Sequence, residues 1–171
     1  MRALVLVAHP DDCVIFASAY MDAHPEHEYT IVYLTCWRWH KRGREMSSYW
    51  KKRGIKTRYL GFKDHGRDLG LNGLHTWSEI EALRILRRSA EGYELIITHN
   101  EEGEYGHPHH RVVHKSVKDF PVSKVYFSLD NQDFRIVPKF DRLRNYKALL
   151  HQTESGHRYE YNNLPWNLMT Y

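Results

Sequence analysis

Two apolar segments, each ending in a cluster of polar side chains, constrain this chain more than any other feature. The run from Ala3 to Ala8 is uniformly apolar and leads directly into His9-Pro10-Asp11-Asp12. Much later, Leu95-Ile96-Ile97-Thr98 leads into a stretch rich in histidine and glutamate over 99–110. Continuous apolar runs are typical of parallel strands buried on both faces. We therefore expect both clusters to lie at the carboxyl edge of one sheet.

Segments with strand character alternate with segments of helical character along the whole chain. The predicted strands cover residues 3–8, 29–34, 57–62, 94–98 and 124–128. The predicted helices cover 13–21, 43–53, a segment after Ser78 with Ile80, Leu83 and Leu86 facing inward, one starting at Pro108, and 138–151. Asp11 or Asp12 is expected to cap the first helix, and Ser78 with Glu81 forms a capping box. The pattern predicts an α/β, Rossmann-like, three-layer fold with a mostly parallel sheet and its active site at the carboxyl ends of the strands.

Length and composition favour one ordinary globular domain over residues 1–171, with an aromatic C-terminal tail at about 152–171. No apolar stretch approaches the ~20 residues that span a bilayer, and no secretory leader is expected. Cys13 and Cys36 are the two cysteines and give no disulfide framework, which favours a cytoplasmic location. The net charge of +4 is only mildly basic and argues against nucleic acid as the main partner.

The two polar clusters together have the composition of a metal site. His9, Asp12 and one histidine of the 107–110 group would supply two imidazoles and a carboxylate, and catalytic zinc is usually held by three protein ligands. Asp11 would then be a carboxylate beside the metal, available to accept a proton from bound water. Taken alone, the tetrapeptide is more typical of a turn with a helix cap, and the second cluster favours the metal site.

Four motifs in this order resemble the PIG-L/LmbE-like zinc-dependent N-acetylglucosaminyl deacetylases over about residues 1–130. They are Ala8-His9-Pro10-Asp11-Asp12, Arg42…Glu45, Leu60-Gly61-Phe62-Lys63-Asp64 and Tyr105-Gly106-His107-Pro108-His109-His110. This chain departs from the family pattern at Cys13, where the family has glutamate, and at His109, where it has aspartate. The resemblance implies the same Rossmann-like fold that the alternating strand and helix segments predict.

The resemblance also implies a set of roles. One zinc per chain, or another divalent metal, would be held by His9, Asp12 and His110. Catalysis would use Asp11 as general base, His107 near the oxygen of the tetrahedral intermediate or as general acid, and a mobile Tyr105 that approaches the same oxygen. Arg42 and Asp64 resemble substrate-contacting positions.

The segment over 37–44 combines two tryptophans with several cations. Trp39 and Arg42 are predicted to contact substrate, since a sugar offers an apolar ring face and hydroxyl groups. The same composition is typical of a solvated basic loop with packed tryptophans, and Trp37 is equally compatible with a place in the core. His114, Cys13 and Cys36 are expected to pack, and His65 and His99 to be polar loop residues.

The predicted function is hydrolysis of an N-acetyl group from an N-acetylglucosamine-type sugar or glycoconjugate. One alternative keeps the metal but acts on another small acylated amine or a nucleotide conjugate. An alternative of another class is a nucleic-acid-binding module that uses the 37–44 segment. The expected partner is a small-molecule or glycan substrate, and the sequence leaves a homo-oligomer open.

Overall fold

Five parallel strands form the centre of the structure, a computed structural model that describes residues 1–64 and 77–127. The strands are β1 (Arg2–Val7), β2 (Glu28–Thr35), β3 (Lys56–Phe62), β4 (Leu95–Thr98) and β5 (Ser123–Tyr126). They lie in the order β3-β2-β1-β4-β5, and every neighbouring pair is parallel. The predicted α/β fold with a parallel sheet is confirmed.

Helices cover both faces of this sheet. They are a π-helix at Cys13–Ala17 that continues as α1 (Ser18–Ala23), then α2 (Lys41–Lys52), α3 (Glu79–Ser89), the short α4 (Gly103–Gly106) and α5 (Pro108–Val117). One core packs the π-helix, α1 and α2 against the sheet, with Trp50 fully buried. The other packs α3 and α5 against the opposite face, with Leu86 fully buried. Residues 3–8 are completely buried because β1 lies at the centre of the sheet between the two cores.

The strand order reverses between β1 and β4, and this reversal positions the candidate site. Chain connections leave a doubly wound sheet in opposite directions at such a point, which opens a crevice beyond the carboxyl ends of the strands. Leu6 pairs with Thr98, so His9 and His99 follow neighbouring strands into that crevice. The Thr98 hydroxyl donates to the Leu6 carbonyl at 2.7 Å and fastens the two strand ends together.

Several local expectations need correction. The first helix begins as a π-helix, and Asp12 precedes it without capping it, because its carboxylate turns back to accept the backbone N–H of His9 at 2.7 Å. Ile80 is 81 % exposed, and Ala82 and Leu86 form the buried face of α3 instead. The Ser78 cap is confirmed, since its hydroxyl accepts from the Glu81 N–H at 3.3 Å.

Other predictions fall on parts of the chain that the structure does not describe. The helix over 138–151, the aromatic tail over 152–171 and His65 lie outside the described residues. Within the described ranges, no helix is long and apolar enough to cross a membrane.

The two tryptophans after β2 stack on each other at the surface. Their ring centroids lie 4.8 Å apart at an interplanar angle of 16°, and Trp39 is 65 % exposed. Trp37 is 39 % exposed and lies against Gly61 of β3, where an added Cβ would come within 2.3 Å of the indole. Trp37 therefore lies outside the core, and the glycine at 61 makes room for its ring.

Gly61 and Gly54 both have a left-handed backbone, but only Gly61 must also leave room for a neighbouring side chain. Gly61 has φ +80° and faces the Trp37 ring, whereas Gly54 has φ +75° with nothing within 4 Å of an added Cβ. Gly54→Ala should lower the free energy of unfolding by about 1–2 kcal/mol, the cost of a left-handed alanine. Gly61→Ala should cost about 1–3 kcal/mol more because it also displaces the indole. Urea unfolding of both variants gives the comparison, and equal losses would show that the Trp37 contact contributes nothing.

Candidate metal centre

Three buried donor atoms form a nearly equilateral triangle in the crevice between β1 and β4. His9 Nδ1 lies 3.3 Å from Asp12 Oδ2 and 3.3 Å from His110 Nε2, and His110 Nε2 lies 3.4 Å from Asp12 Oδ2. All three side chains are essentially inaccessible to solvent. His9 and Asp12 come from the loop after β1, whereas His110 lies in the first turn of α5.

The size of this triangle fits a tetrahedral zinc ion. Zinc binds imidazole nitrogen and carboxylate oxygen at about 2.0–2.2 Å, so two ligands of a tetrahedral ion lie about 3.3 Å apart. Two nitrogens and one oxygen also match the borderline character of zinc and leave a fourth position open. These residues can therefore hold a metal ion of that kind.

Glu104 fixes the orientation of the His110 ring. Its Oε2 lies 2.6 Å from His110 Nδ1, and a carboxylate can only accept there, so His110 carries its proton on Nδ1. The lone pair of Nε2 then points into the triangle. A carboxylate behind a metal-binding histidine is the usual way in which proteins orient and strengthen such a ligand.

His109 contacts the outer nitrogen of His9. His109 Nδ1 lies 3.1 Å from His9 Nε2, and Asp64 Oδ1 lies 3.6 Å from the same nitrogen. A proton on His9 Nε2 would be donated toward these acceptors and would leave the Nδ1 lone pair directed at the triangle. Both histidines of the triangle thus have acceptors behind them that favour the tautomer a metal requires.

His99 lies beneath the triangle, completely buried, and its ring stacks on that of His110 with centroids 3.8 Å apart. Burial lowers the pKa of His99, but Glu104 and Asp12 outweigh burial and raise it to about 9. The N–H of Ala8 points at His99 Nε2 from 3.0 Å, and this donor is fixed by the strand backbone. A proton on Nε2 would face this N–H, so we assign the neutral ring in spite of the raised pKa, with its single proton on Nδ1 facing Glu104 at 2.8 Å.

Glu104 serves both imidazoles from a backbone position that non-glycine residues rarely adopt. Its φ is +58°, and its Oε1 accepts the Asn100 N–H at 2.9 Å while Oε2 faces the two rings. Burial alone would raise the pKa of Glu104, but His99 and His110 lower it to about 2. The carboxylate therefore stays ionised, and a strained backbone held by surrounding contacts is typical of functional sites.

Asp12 is likewise held as an anion. Burial would raise the pKa of this carboxyl, but His110 and His9 keep it well below its usual range. A carboxylate that is already ionised at neutral pH needs to lose no proton when it binds a cation.

Asp11 faces a cation. Its Oδ1 pairs with Arg42 Nη2, and Arg42 Nη1 donates to Asp64 Oδ2 at 2.9 Å. The guanidinium of α2 thus bridges two carboxylates, one from the loop after β1 and one from the loop after β3. Asp11 is completely buried, and a buried carboxylate of this kind requires such a partner to remain charged.

His107 stands over the triangle. Its ring centroid lies 4.6 Å from those of both His9 and His110, and its Nδ1 accepts the His109 N–H at 3.2 Å as the N-cap of α5. The remaining proton of a neutral His107 is therefore on Nε2. Burial, followed by the neighbouring imidazoles of His9, His110 and His109, lowers the pKa of His107. It is a neutral hydrogen-bond donor.

Cys13 stands where the family that this sequence resembles has a glutamate, and its thiol is held by contacts with the core. Its thiol donates to the Pro10 carbonyl at 3.3 Å, accepts the Trp50 indole N–H at 3.1 Å and lies 3.0 Å from the Tyr33 hydroxyl. Burial raises the pKa of Cys13, so the sulfur remains a thiol. It holds the loop of the first motif against the core and takes no part in the donor triangle.

The structure thus brings together the predicted residues of the two main motifs. Arg42 and Asp64 lie in contact with them, whereas Trp39 lies in the exposed stack with Trp37. Tyr105 lies in α4, and its side chain is outside what the structure describes. The ring of His114 is directed away, with Nδ1 donating to the His99 carbonyl at 3.0 Å, in agreement with a packing role.

Sequence reasoning missed the contributions of His99, Glu104 and His109. His99 is no simple loop residue, and Glu104 orients both His99 and His110. One signal was available for His99, because it follows β4 as His9 follows the apolar run of β1. The role of Glu104 depends on its left-handed backbone, for which the sequence carries no signal.

A family profile and several solved structures match this chain. Residues 4–120 match the sequence profile of the PIG-L family, described as GlcNAc-PI de-N-acetylase. No curated protein gives a significant match.

Solved structures share the fold at low sequence identity. A deacetylase of the teicoplanin biosynthesis pathway has a TM-score of 0.66 at 14 % identity, over 95 % of this chain and 87 % of that chain. The N,N'-diacetylchitobiose deacetylase from Pyrococcus horikoshii has 0.54 at 16 %, over 94 % and 74 %. The 4-carboxy-2-hydroxymuconate hydratase from Pseudomonas putida has 0.58 at 14 %, over 94 % and 82 %.

The contacts around the triangle predict a graded response of metal affinity to substitution. His110→Ala should abolish zinc binding in the triangle, because it removes a donor. Glu104→Gln should weaken binding about 10- to 100-fold, because it leaves the donors in place but removes the acceptor behind them. Asp11→Asn should bind nearly as well as the wild type. Competition with a chromophoric chelator measures all three, with the exposed Glu102→Gln as matched control, and full zinc binding by His110→Ala would redirect the assignment to His109 or His114.

Proposed function

The chain belongs to the PIG-L family, and from that premise we propose that it is a metal-dependent hydrolase that removes an N-acetyl group from an N-acetylglucosamine-type sugar or glycoconjugate. The observation that carries the proposal is the buried triangle of His9 Nδ1, Asp12 Oδ2 and His110 Nε2, whose sides of 3.3–3.4 Å fit a tetrahedral zinc ion. We propose these three residues as the ligands of one metal ion per chain. When bound, zinc would activate a water molecule at neutral pH and polarise the acyl carbonyl.

Asp11 is proposed as the general base. Asp12 is committed to the donor triangle, and Glu104 is engaged by two imidazoles, which leaves Asp11 as the buried carboxylate of the first motif suited to accept a proton. Its ion pair with Arg42 keeps it ionised before the reaction. After accepting the proton, Asp11 can deliver it to the amide nitrogen, which leaves poorly unless it is protonated.

His107 is proposed to stabilise the oxygen that gains charge during the reaction. Its Nδ1 already accepts a backbone N–H, so its Nε2 proton is the one available to a substrate. The lowered pKa keeps the ring neutral, and a bound cation would act in the same direction. This favours hydrogen-bond donation to the oxyanion over a role as proton-transferring acid, and such a donor contributes roughly 2.7–4 kcal/mol. Tyr105 stays a predicted second donor.

Arg42 combines two roles in this proposal. Its guanidinium holds Asp11 and Asp64 through separate nitrogens, which positions the base as well as the rim of the crevice. Its side chain keeps some exposure, at 15 %, and can thus reach a bound substrate on the solvent side. A hydroxyl or acetamido group of a sugar would compete with Asp64 for the same donors.

The substrate beyond the acyl group is proposed from chemistry alone. The exposed Trp39 ring offers a flat apolar face of the kind that packs on sugar rings. A metal-dependent amidase for another small acylated amine or nucleotide conjugate uses the same triangle and stays the alternative. One structural neighbour is a hydratase, and a shared fold does not fix the reaction. A test on N-acetylated sugars must therefore score acetate and free amine together.

The base role of Asp11 predicts a large loss of turnover without a loss of metal. Asp11→Asn keeps the size of the side chain and the hydrogen bond to Arg42 but cannot take up a proton. We expect kcat on the best N-acetylated sugar to fall about 10²- to 10⁴-fold at unchanged zinc content.

Acetate release, zinc content and circular dichroism should be measured on the same preparation. Asp119→Asn, a change to an exposed carboxylate far along the chain, is the matched control and should keep full activity. A loss of less than about tenfold in the folded, zinc-loaded Asp11 variant would remove the base role.

Substitution of Trp39 or Arg42 should change the kinetic constants in a different way from Asp11→Asn. Trp39→Ala should raise KM with kcat nearly unchanged, because it removes binding that substrate and transition state share. Arg42→Ala should raise KM as well and also lower kcat, since it releases Asp11. Lys41→Ala, a neighbouring exposed cation on α2, is the control. An unchanged KM in both variants would exclude this face from the substrate site.

A further inference from the structure

A second group of metal-ligating side chains lies in the turn between α1 and β2. His24 Nδ1 lies 3.4 Å from Glu26 Oε1, and His27 Nδ1 lies 3.5 Å from the same oxygen. The two imidazole rings are nearly parallel, at 9°, with centroids 5.6 Å apart. One donor atom from each of the three residues lies within 4.8 Å of the others.

We propose that His24, Glu26 and His27 form a second divalent-cation site, selective for a borderline ion such as zinc, nickel or copper. Both distances to the shared oxygen are close to the ~3.3 Å that separates the ligands of a tetrahedral ion. Two imidazoles and one carboxylate select this class of ion over magnesium or calcium, which prefer oxygen ligands. Solvent on the exposed side of Glu26 supplies the remaining ligand positions.

The burial of His27 is an independent observation that points to a ligand. Its side chain is only 8 % exposed, and within the described residues no hydrogen bond reaches its Nδ1. A buried polar nitrogen without a partner is costly and uncommon in folded proteins. The same nitrogen lies 3.5 Å from Glu26 Oε1, and a cation bound between the two atoms would satisfy it.

The turn is held in place by contacts outside the three ligands. The His24 N–H donates to the Tyr20 carbonyl at 3.1 Å, and the Tyr29 hydroxyl donates to the His24 carbonyl at 2.8 Å. The Tyr20 ring packs against His24 with centroids 4.3 Å apart. These contacts fix His24 before any ion binds, which lowers the entropy cost of binding.

The competing interpretation is a protonated histidine paired with Glu26. A hydrogen bond from its own backbone N–H lowers the pKa of Glu26, so the carboxylate is ionised and suits either partner. An ion pair with a carboxylate that is 60 % exposed contributes little to stability and predicts no metal dependence. A measurement of metal binding therefore distinguishes the proposed metal site from a simple ion pair.

The site is remote from the crevice. It precedes β2 at the amino edge of the sheet, whereas His9 and His110 lie beyond the carboxyl edge, roughly 20 Å away along the strands. Nothing in this inference depends on the proposed deacetylase function, and the two sites can be disabled separately.

The test is zinc content after equilibrium dialysis against buffered zinc in the micromolar range. Wild-type protein should hold two zinc ions per chain, His27→Ala one, His110→Ala one, and the double variant none. His40→Ala, which removes an exposed histidine outside the cluster, is the matched control and should hold two. Glu26→Gln should weaken the second site at least about tenfold, because it replaces a charged donor with an amide.

A second readout is thermal. In the His110→Ala protein, free zinc at about a hundredfold above the Kd of the second site should raise Tm by about 5 °C or more. Adding the His27→Ala change should abolish this shift. Equal zinc contents of wild type and folded His27→Ala would overturn the proposal, as would binding seen only near millimolar zinc, which is adventitious surface chelation.

Discussion

The burial of the Asp12 carboxylate is the constraint on which the arrangement of the site depends. One oxygen of this group accepts the His9 N–H at 2.7 Å and lies 3.3–3.4 Å from nitrogens of His9, His99 and His110. An ionised carboxylate removed from water requires compensating charge and hydrogen bonds. The His9 N–H supplies one such hydrogen bond, and a cation held between Asp12 and the lone pairs of His9 and His110 would supply the compensating charge where the loop after β1 meets the start of α5. The crevice at the reversal of strand order provides the place where these two segments can meet.

Each of the other buried carboxylates is matched in its own way. Asp11 is paired with Arg42, and Glu104 is bound by two imidazoles and the Asn100 N–H. This division gives three acidic groups three different chemical characters within one crevice. A carboxylate paired with a partly exposed guanidinium can act on a substrate, whereas one enclosed by imidazoles can only orient them. The roles proposed for Asp11, Asp12 and Glu104 follow from these partners more than from their positions in the sequence.

The fold could be predicted in detail because its signals are local. The fully apolar run of β1, the Ser78 cap and Pro108 at the first position of α5 each specify an element by short-range chemistry, and the parallel sheet follows from their alternation. The donor triangle could also be anticipated, since its members follow strand ends in recognisable motifs. Ile80 was misplaced because helical periodicity allows more than one inward face, and packing of α3 on α5 selects Ala82 and Leu86. The partners behind the ligands escaped prediction, since the contacts of His99, Glu104 and His109 arise only when distant segments pack together.

The π-helix over Cys13–Ala17 imposes a restriction on chain length beside the site. Such a segment contains one residue more than an α-helix would over the same turn. Loss of one residue there would restore a regular α-helical turn with little change in the phase of α1, but the side chains of the wide turn itself would move. Phe16 is one of them, and its ring lies 6.2 Å from those of His99 and His110, so a deletion would disturb the packing behind the site while Asp11 and Asp12 stayed anchored. Natural variation in this stretch should therefore occur by replacement of side chains, with insertions and deletions confined to other loops.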